Sequence, residues 1–597
     1  MASLTLVFAI PVVKLVRVQV LDAERYVAFG QSQRLRSEEL PAERGSITDR
    51  DGLPLALSEP KPTVWVDPRV VTDPAGSAEQ LAALTGVAES TIRDRLTSSS
   101  SFEYVAHHVK DKVAAEIQEL DLPGVYLVDE SARIRPAGAL GESIVGDVVQ
   151  GNAGSTGLEL YYDDLLTGIP GQIRFERSID GQKISVGERR VQPAVPGADI
   201  ALTIHRGIQY RAEEVLGAQI EKTGALGGWM LVADPSNGEL YAVVNMARSE
   251  DGEARSVRHN KAFTANYDPG SILKVATLAA ALEAGTITPQ KWIDVPPRLQ
   301  IHDKLFSDEH RSKTEPMTPT DILVRSSNVG SITIARSVGA EVLHTMLTKL
   351  GLGRLPDVGF PGEATGRLNP VERWSGTDIG SVAIGQGVSA TGQQMLDVYS
   401  TIANGGVSVQ PSLVRTIIEP DGRRHLPESP AVERVLSAEV AAELTEMLVE
   451  VVDEGTGSRA AIDGYRVAGK TGTAWKFFED TGYLDRRGDR QYISSFVGFA
   501  PASNPRLVAL VSLDQPDPSA PEGGLVAAPV FSEVMAYALR ALRVAPSDLA
   551  DPAGPVRAPT VPGSGPDGEA VEDTNVGYRP RPVGTFGSGR LVEPEHA

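Results

Sequence analysis

Cysteine is absent from all 597 residues. That excludes disulfides, thiolate metal sites and a cysteine nucleophile, and it leaves the redox compartment open. Positive charge is also short: 57 Lys and Arg stand against 78 Asp and Glu, a formal net charge of −21. Phosphate backbones would be repelled unless a local basic patch intervened, so nucleic acid is excluded as a main partner. A long apolar run is missing near the N-terminus. Residues 4–13 are apolar, but Lys14 and Arg17 interrupt them, well short of the roughly 20 residues that a membrane span needs. No basic flank precedes them, which makes a poor signal peptide, and on their own they read equally as a buried or interfacial helix. From about Val544 the chain is rich in Pro, Gly and Ala with almost no aromatics, so residues 546–597 are expected to be a disordered tail.

A chain this long should hold two or more domains, each with its own core. Residues 21–195 are mixed and irregular: "TVWVDP" reads as a strand, "SAEQLAALTG" and "KDKVAAEIQEL" as helices. Two clusters rich in Gly and Asp, residues 44–52 and 157–171, read as loop chemistry. From residue 196 the pattern changes. A strand and an amphipathic helix are followed by "GGWMLVADPSNGELYAVVNMA", a hairpin turning at Ser236, Asn237 and Gly238. Further helices and strands run to about residue 545, which predicts an α+β or α/β domain with helices packed on a sheet.

The chain is organised around residues 267–285, "YDPGSILKVATLAAALEAG". Pro269 and Gly270 break the chain, Gly285 supplies a stop, and the spacing predicts one helix starting at Ser271, apolar on most sides and so buried. Inside it sits Lys274, one turn after the Ser271 hydroxyl on the same face. A buried ammonium loses its proton readily, so Lys274 can act as the base for a nucleophilic Ser271. Ser-x-x-Lys is a weak signal alone, and a second copy spans Ser58 to Lys61 with Pro60 inside it. Two further motifs follow in order. Ser326, Ser327 and Asn328 form a polar turn between two helical patterns. Lys470, Thr471, Gly472 and Thr473 lie on a β-prone stretch that "YISSFVGFAP" can flank as an antiparallel neighbour. A decoy Lys-Thr-Gly at Lys222, Thr223 and Gly224 ends a helix and reads as its C-cap.

With Ser-x-x-Lys, Ser-x-Asn and Lys-Thr-Gly in this order, the chain resembles the penicillin-recognising serine acyl-transferases. "RVQVLDAERY", "RGSITDRDGLPLA", "GLELYYDDLLTG", "AIGQGVSAT", "VAGKTGTA" and "FVGFAP" extend the resemblance to class B penicillin-binding proteins, the monofunctional peptidoglycan transpeptidases, of the division type more than the elongation type. One departure is Arg135, where the family pattern leads one to expect a tyrosine before Pro136. The resemblance implies a partial, single-pass membrane anchor at residues 1–20 whose cytoplasmic start is missing. It also implies a non-catalytic pedestal and dimerisation domain at 21–195 and a transpeptidase domain at 196–545 outside the cytoplasm, with no metal and no cofactor.

By the same resemblance, Ser271 attacks the carbonyl between two terminal D-alanines of a stem peptide, and a neighbouring stem amine then takes the acyl group. Lys274 is similar to the family's base and Ser326 to the proton relay, with Asn328 holding Lys274 and the substrate amide. Lys470, with Thr471 or Thr473, matches the terminal carboxylate of peptide or β-lactam. Gly472 lets the ligand backbone approach, and N–H groups of Ser271 and Thr473 form the oxyanion hole. The implied partners are peptidoglycan stem peptides, β-lactams, the cytoplasmic membrane, a membrane glycosyltransferase and other division proteins. Two rival readings are a β-lactamase or D,D-carboxypeptidase, for which Glu363 is the nearest deacylating carboxylate, and an idle scaffold or β-lactam sensor, which could dispense with Lys274 or Lys470.

Overall fold

The structure, a computed structural model, describes residues 35–547 apart from 150–151, 177–188, 309–311 and 427–429, together with residues 14, 16, 17 and 19. The apolar run at 4–13 and the tail from 548 onward lie outside the described residues.

The C-terminal domain is built on a six-stranded sheet. Its strands are β1 (Gly227–Ala233), β2 (Leu240–Arg248), β3 (Ala254–Ser256), β4 (Ala468–Trp475), β5 (Tyr492–Ala500) and β6 (Leu507–Asp514), in the order β3-β2-β1-β6-β5-β4 with every neighbour antiparallel. β1 and β2 form the hairpin expected at Ser236 to Gly238, and Gly238 takes φ +75° there. Residues 507–514 are buried along their whole length, because helices cover both faces of the sheet. On one face lie α1 (Arg206–Thr223) and, as the last helix among the described residues, Ala528–Ala541, packing Leu216, Ile220, Phe531 and Val534 against Met230 and Val511. α1 ends at Gly224, left-handed at φ +64°, so the first Lys-Thr-Gly is the predicted cap. The other face carries α2 (Lys274–Glu283), α3 (Asn328–Val338), α4 (Gly392–Ala403) and α5 (Ala438–Asp453), whose core residues include Leu278, Ile332, Leu396 and Leu448. α6 is Ala528–Ala541. The stretch Gly523–Ala541 is long and apolar enough to cross a membrane, but half of it is buried in the protein. It is therefore a core helix, and it does not substitute for the anchor expected at the N-terminus.

The N-terminal domain centres on the long strand Pro54–Val66, paired antiparallel with Val125–Ile134 and Glu103–Ala106. Helices Pro74–Thr85, Glu89–Leu96 and Asp111–Glu119 bury Leu81, Ile92 and Ile117 against Val64 and Val66. The two domains share a sheet: Ile47–Thr48 pairs in parallel with Asp199–Leu202, which pairs antiparallel with Val414–Ile418.

At that junction the two clusters expected to be loops meet. Arg44 Nε donates to Glu159 Oε2 at 2.7 Å and Arg133 Nε to Glu159 Oε1 at 2.7 Å, with the Arg44 and Glu159 side chains 0% and 1% exposed. Arg44 also reaches Asp163 at 2.6 Å. Arg135, the departure from the family pattern, donates to the Gly146 carbonyl and lies 3.4 Å from Asp147. Loop chemistry therefore undersold these residues: three charges are withdrawn from water and satisfied by one another, by Asp163 and by backbone carbonyls such as those of Asn152 and Gly45. Neutralising Glu159 leaves the buried Arg133 without its carboxylate, so Glu159→Gln is expected to cost about 3–5 kcal/mol, read as a lower midpoint in urea unfolding of the full chain.

Candidate active site

The segment carrying Ser271 is not one continuous α-helix. Gly270–Leu273 forms a 3-10 turn, and the α-helical part begins at Lys274. The tightening has a local cause. Gly270 is left-handed at φ +59° and its N–H donates to the Gly385 carbonyl at 3.0 Å, while a Cβ at Gly270 would lie 2.9 Å from that of Ala474. β4 approaches equally closely, since a Cβ at Gly472 would lie 2.9 Å from Ile272 Cγ2. Both glycines are needed for the turn and the strand to touch. Residues 272–282 are buried, as the apolar pattern implied.

Lys274 is fully buried. Its Nζ donates to the Ser326 carbonyl at 2.5 Å and to Ser326 Oγ at 3.2 Å. Burial pushes the amine down to about 7, opposed by the Asp308 carboxylate. Ser326 sits at φ +55°, a left-handed conformation that is costly for a residue with a Cβ and that clusters at functional sites. The Ser271 hydroxyl makes no hydrogen bond among the described residues; the amine is held by Ser326 instead. Lys470, also fully buried, donates to Thr471 O at 3.2 Å and Thr471 Oγ1 at 3.3 Å. Burial and the neighbouring Lys274 hold it well below the usual lysine range, and a carboxylate docked beside it would raise it again. Thr471 Oγ1 lies 2.6 Å from Thr456 Oγ1, and the exposed Thr473 accepts from the Gly523 N–H at 3.1 Å.

The turn before α3 is fastened by a residue that sequence reading missed. Ser327 Oγ accepts from the Gly330 N–H, the cap of α3, and donates to Asp308 Oδ2 at 2.5 Å. Val329 N–H donates to Asp308 Oδ1 at 3.0 Å. A carboxylate from a different segment thus fastens the position where the motif carries Ser327 and not Asp. Asn328 opens α3, and its amide reaches the Ser307 carbonyl at 3.5 Å.

Ser271, Ser326, Asn328, Thr471 and Thr473 line one groove of about 910 Å³, with Asp308 on its wall. Lys274 and Lys470 are buried behind it. Glu363 does not line this groove: it accepts from the N–H groups of Val358, Gly359 and Phe360 at 2.9–3.0 Å and organises its own loop. Among the described residues no cluster of three or more His, Asp or Glu side chains is placed to hold a metal. A buried amine, hydroxyls on both sides of a groove and a strand that carries a second lysine are equipment for acyl transfer through a serine.

Residues 228–536 match the family described as the penicillin binding protein transpeptidase domain, and residues 39–202 match the penicillin-binding protein dimerisation domain. The chain belongs to the class B penicillin-binding proteins. This penicillin-binding protein is 32% identical over 559 residues to stage V sporulation protein D of Bacillus subtilis, covering 91% of this chain and 85% of that relative. It is 30% identical over 545 residues to the peptidoglycan D,D-transpeptidase FtsI of Escherichia coli, covering 89% of each. It also resembles the crystal structure of penicillin binding protein 3 from Mycobacterium tuberculosis complexed with ampicillin. That match has a TM-score of 0.66 and 28% identity over 87% of this chain and 99% of the other. The fold expected from the motifs, a pedestal followed by a transpeptidase domain with helices on an antiparallel sheet, is the fold found.

Proposed function

We propose that this penicillin-binding protein is a serine-type peptidoglycan D,D-transpeptidase that forms an acyl-enzyme at Ser271 and is acylated there by β-lactams. One observation carries the reading: three segments far apart in sequence line a single groove, and the Lys274 amine, which burial pushes down to about 7, is tied to its central hydroxyl turn. In the reaction Ser271 Oγ bonds to the penultimate D-alanine carbonyl carbon while its proton passes to neutral Lys274. The tetrahedral oxyanion is met by backbone N–H groups of Ser271 and Thr473. Ser326, bonded to Lys274, delivers the proton to the departing D-alanine nitrogen. An amine from a second stem then displaces Ser271 and restores the hydroxyl. Lys470 and Thr471 meet the terminal carboxylate, and Asn328, at the groove's edge, orients the substrate amide.

The pedestal and the division-type relatives support the finer reading. In it the chain is anchored in the cytoplasmic membrane by its N-terminal run, faces outward, and works beside a membrane glycosyltransferase and other division proteins. The engagement of Glu363 by its own loop favours transfer over hydrolysis, since it leaves that carboxylate away from the groove. The test is acylation of the purified chain by a fluorescent penicillin with mass mapping of the adduct, followed by a thioester substrate with and without a D-amino-acid acceptor. A Ser271 adduct and acceptor-dependent product are expected. Release of free acid alone, indifferent to the acceptor, would reassign the enzyme to hydrolysis, and no adduct would leave the scaffold reading.

A further inference from the structure

Asp268 lies three residues before Ser271 and is 6% exposed. Its Oδ2 accepts two hydrogen bonds from distant parts of the chain: the Gly387 N–H at 3.2 Å and the Tyr483 hydroxyl at 2.6 Å. The first belongs to a backbone seam. Tyr267 and Ala390 exchange bonds at 3.0 and 2.9 Å, and Gly270 donates to Gly385, so residues 385–390 are stitched to the catalytic turn without help from Asp268.

The second bond has no such backing. Residues 476–491, between β4 and β5, fold on themselves: Phe478 and Gly482 exchange N–H···O bonds at 2.7 and 2.9 Å, and Asp485 accepts from the N–H groups of Arg487 and Asp489. Lys476 pairs with Asp514 at the root. Among the described residues, the Tyr483 hydroxyl makes the only hydrogen bond joining residues 477–490 to the segment that carries Ser271. The Tyr483 ring meets Trp475 edge-on at 6.1 Å and Phe477 at 5.4 Å, and the Arg490 guanidinium lies over Trp475 at 4.0 Å. Trp475 ends β4, two residues beyond Thr473, and lines the groove. One side chain therefore touches the nucleophile's segment with its oxygen and the groove's wall with its ring.

We propose that Tyr483 is a positioning residue: through Asp268 it fixes Trp475 as a wall of the peptide groove, so that wall and nucleophile turn keep one spacing. The proposal rests on the acyl-transfer reading above. A hydroxyl donating to a carboxylate is among the stronger hydrogen bonds, and its loss frees a loop that has no other hydrogen-bonded tie to that segment.

In the full chain, Tyr483→Phe is expected to weaken acylation by a fluorescent penicillin about tenfold at low concentration. The loss should fall on the half-saturating concentration, with the limiting acylation rate within about twofold, because the wall places the ligand and moves no proton. Asp268→Asn should lose as much, and the double variant no more than either single one. Equal half-saturating concentrations in Tyr483→Phe and wild type, or additive losses in the double variant, would overturn the proposal. If Asp268→Asn fails to fold, Tyr483→Phe decides alone, since it removes one hydroxyl. Hydrogen exchange across residues 476–491 separates this idea from the enzymatic one. Faster exchange in Tyr483→Phe supports the tie even if wild type forms no Ser271 adduct, and unchanged exchange refutes it.

Discussion

Ser271→Ala is expected to abolish covalent labelling by penicillin while the protein melts as wild type does. Of the groups lining the groove, Ser271 is the hydroxyl on the turn against which β4 is pressed, one helical turn from a buried amine. Removing Oγ removes the atom that would bond to the acyl carbon, and in the proposed reaction Ser326, bonded to Lys274, relays a proton and makes no attack. The structural cost is small because the Ser271 hydroxyl makes no hydrogen bond among the described residues, so stability should change by no more than about 0.5 kcal/mol. Labelling followed on a gel, with the adduct mapped by mass, checks the chemistry, and a thermal melt checks the fold. Persistent labelling of a folded Ser271→Ala protein would place the nucleophile elsewhere.

What could be read from the sequence was local. α1 with its Gly224 cap, the Ser236 to Gly238 hairpin and the antiparallel pairing of β4 with β5 are written in periodicity and turn residues over a few positions. The motif turn at Ser326 was also legible, because helices flank it on both sides. The features that escaped are those made by long-range partners. Arg44 meets Glu159 across 115 residues, and each alone looks like a charged loop residue until burial removes the water. Asp308 stands outside any motif, yet it ties down Ser327 and Val329. Asp268 stands beside the Pro269–Gly270 break with nothing in the sequence to mark it; only the fold shows Tyr483 reaching it across 215 residues. The 3-10 start at Gly270 escaped for the same reason, since its cause, contact with Gly385 and Ala474, lies in other segments.

Lys274→Met should leave the fold in place and slow acylation by about 10²- to 10⁴-fold, the range that a positioned general base supplies. Methionine is the informative substitution because it nearly preserves the buried volume, whereas alanine would add a cavity to the loss of the amine. The pH dependence gives a second signature. With the amine pushed down to about 7 by burial, wild-type acylation should fall tenfold per unit as pH drops below about 7 and stay level just above it. An unperturbed lysine would place that limb near pH 10. The sign for stability follows from the same shift. The folded pKa lies below the unfolded one, so the unfolded chain binds more protons between about 7 and 10.5. This contribution is fully present above pH 10.5 and declines by up to about 1.4 kcal/mol per unit as pH falls through that window, levelling off below about 7. Lys274→Met removes the group and should lose both signatures together: the acid limb in acylation and the extra slope in the urea midpoint between pH 7 and 10 measured against wild type. A variant that kept the acid limb would assign the base to another residue.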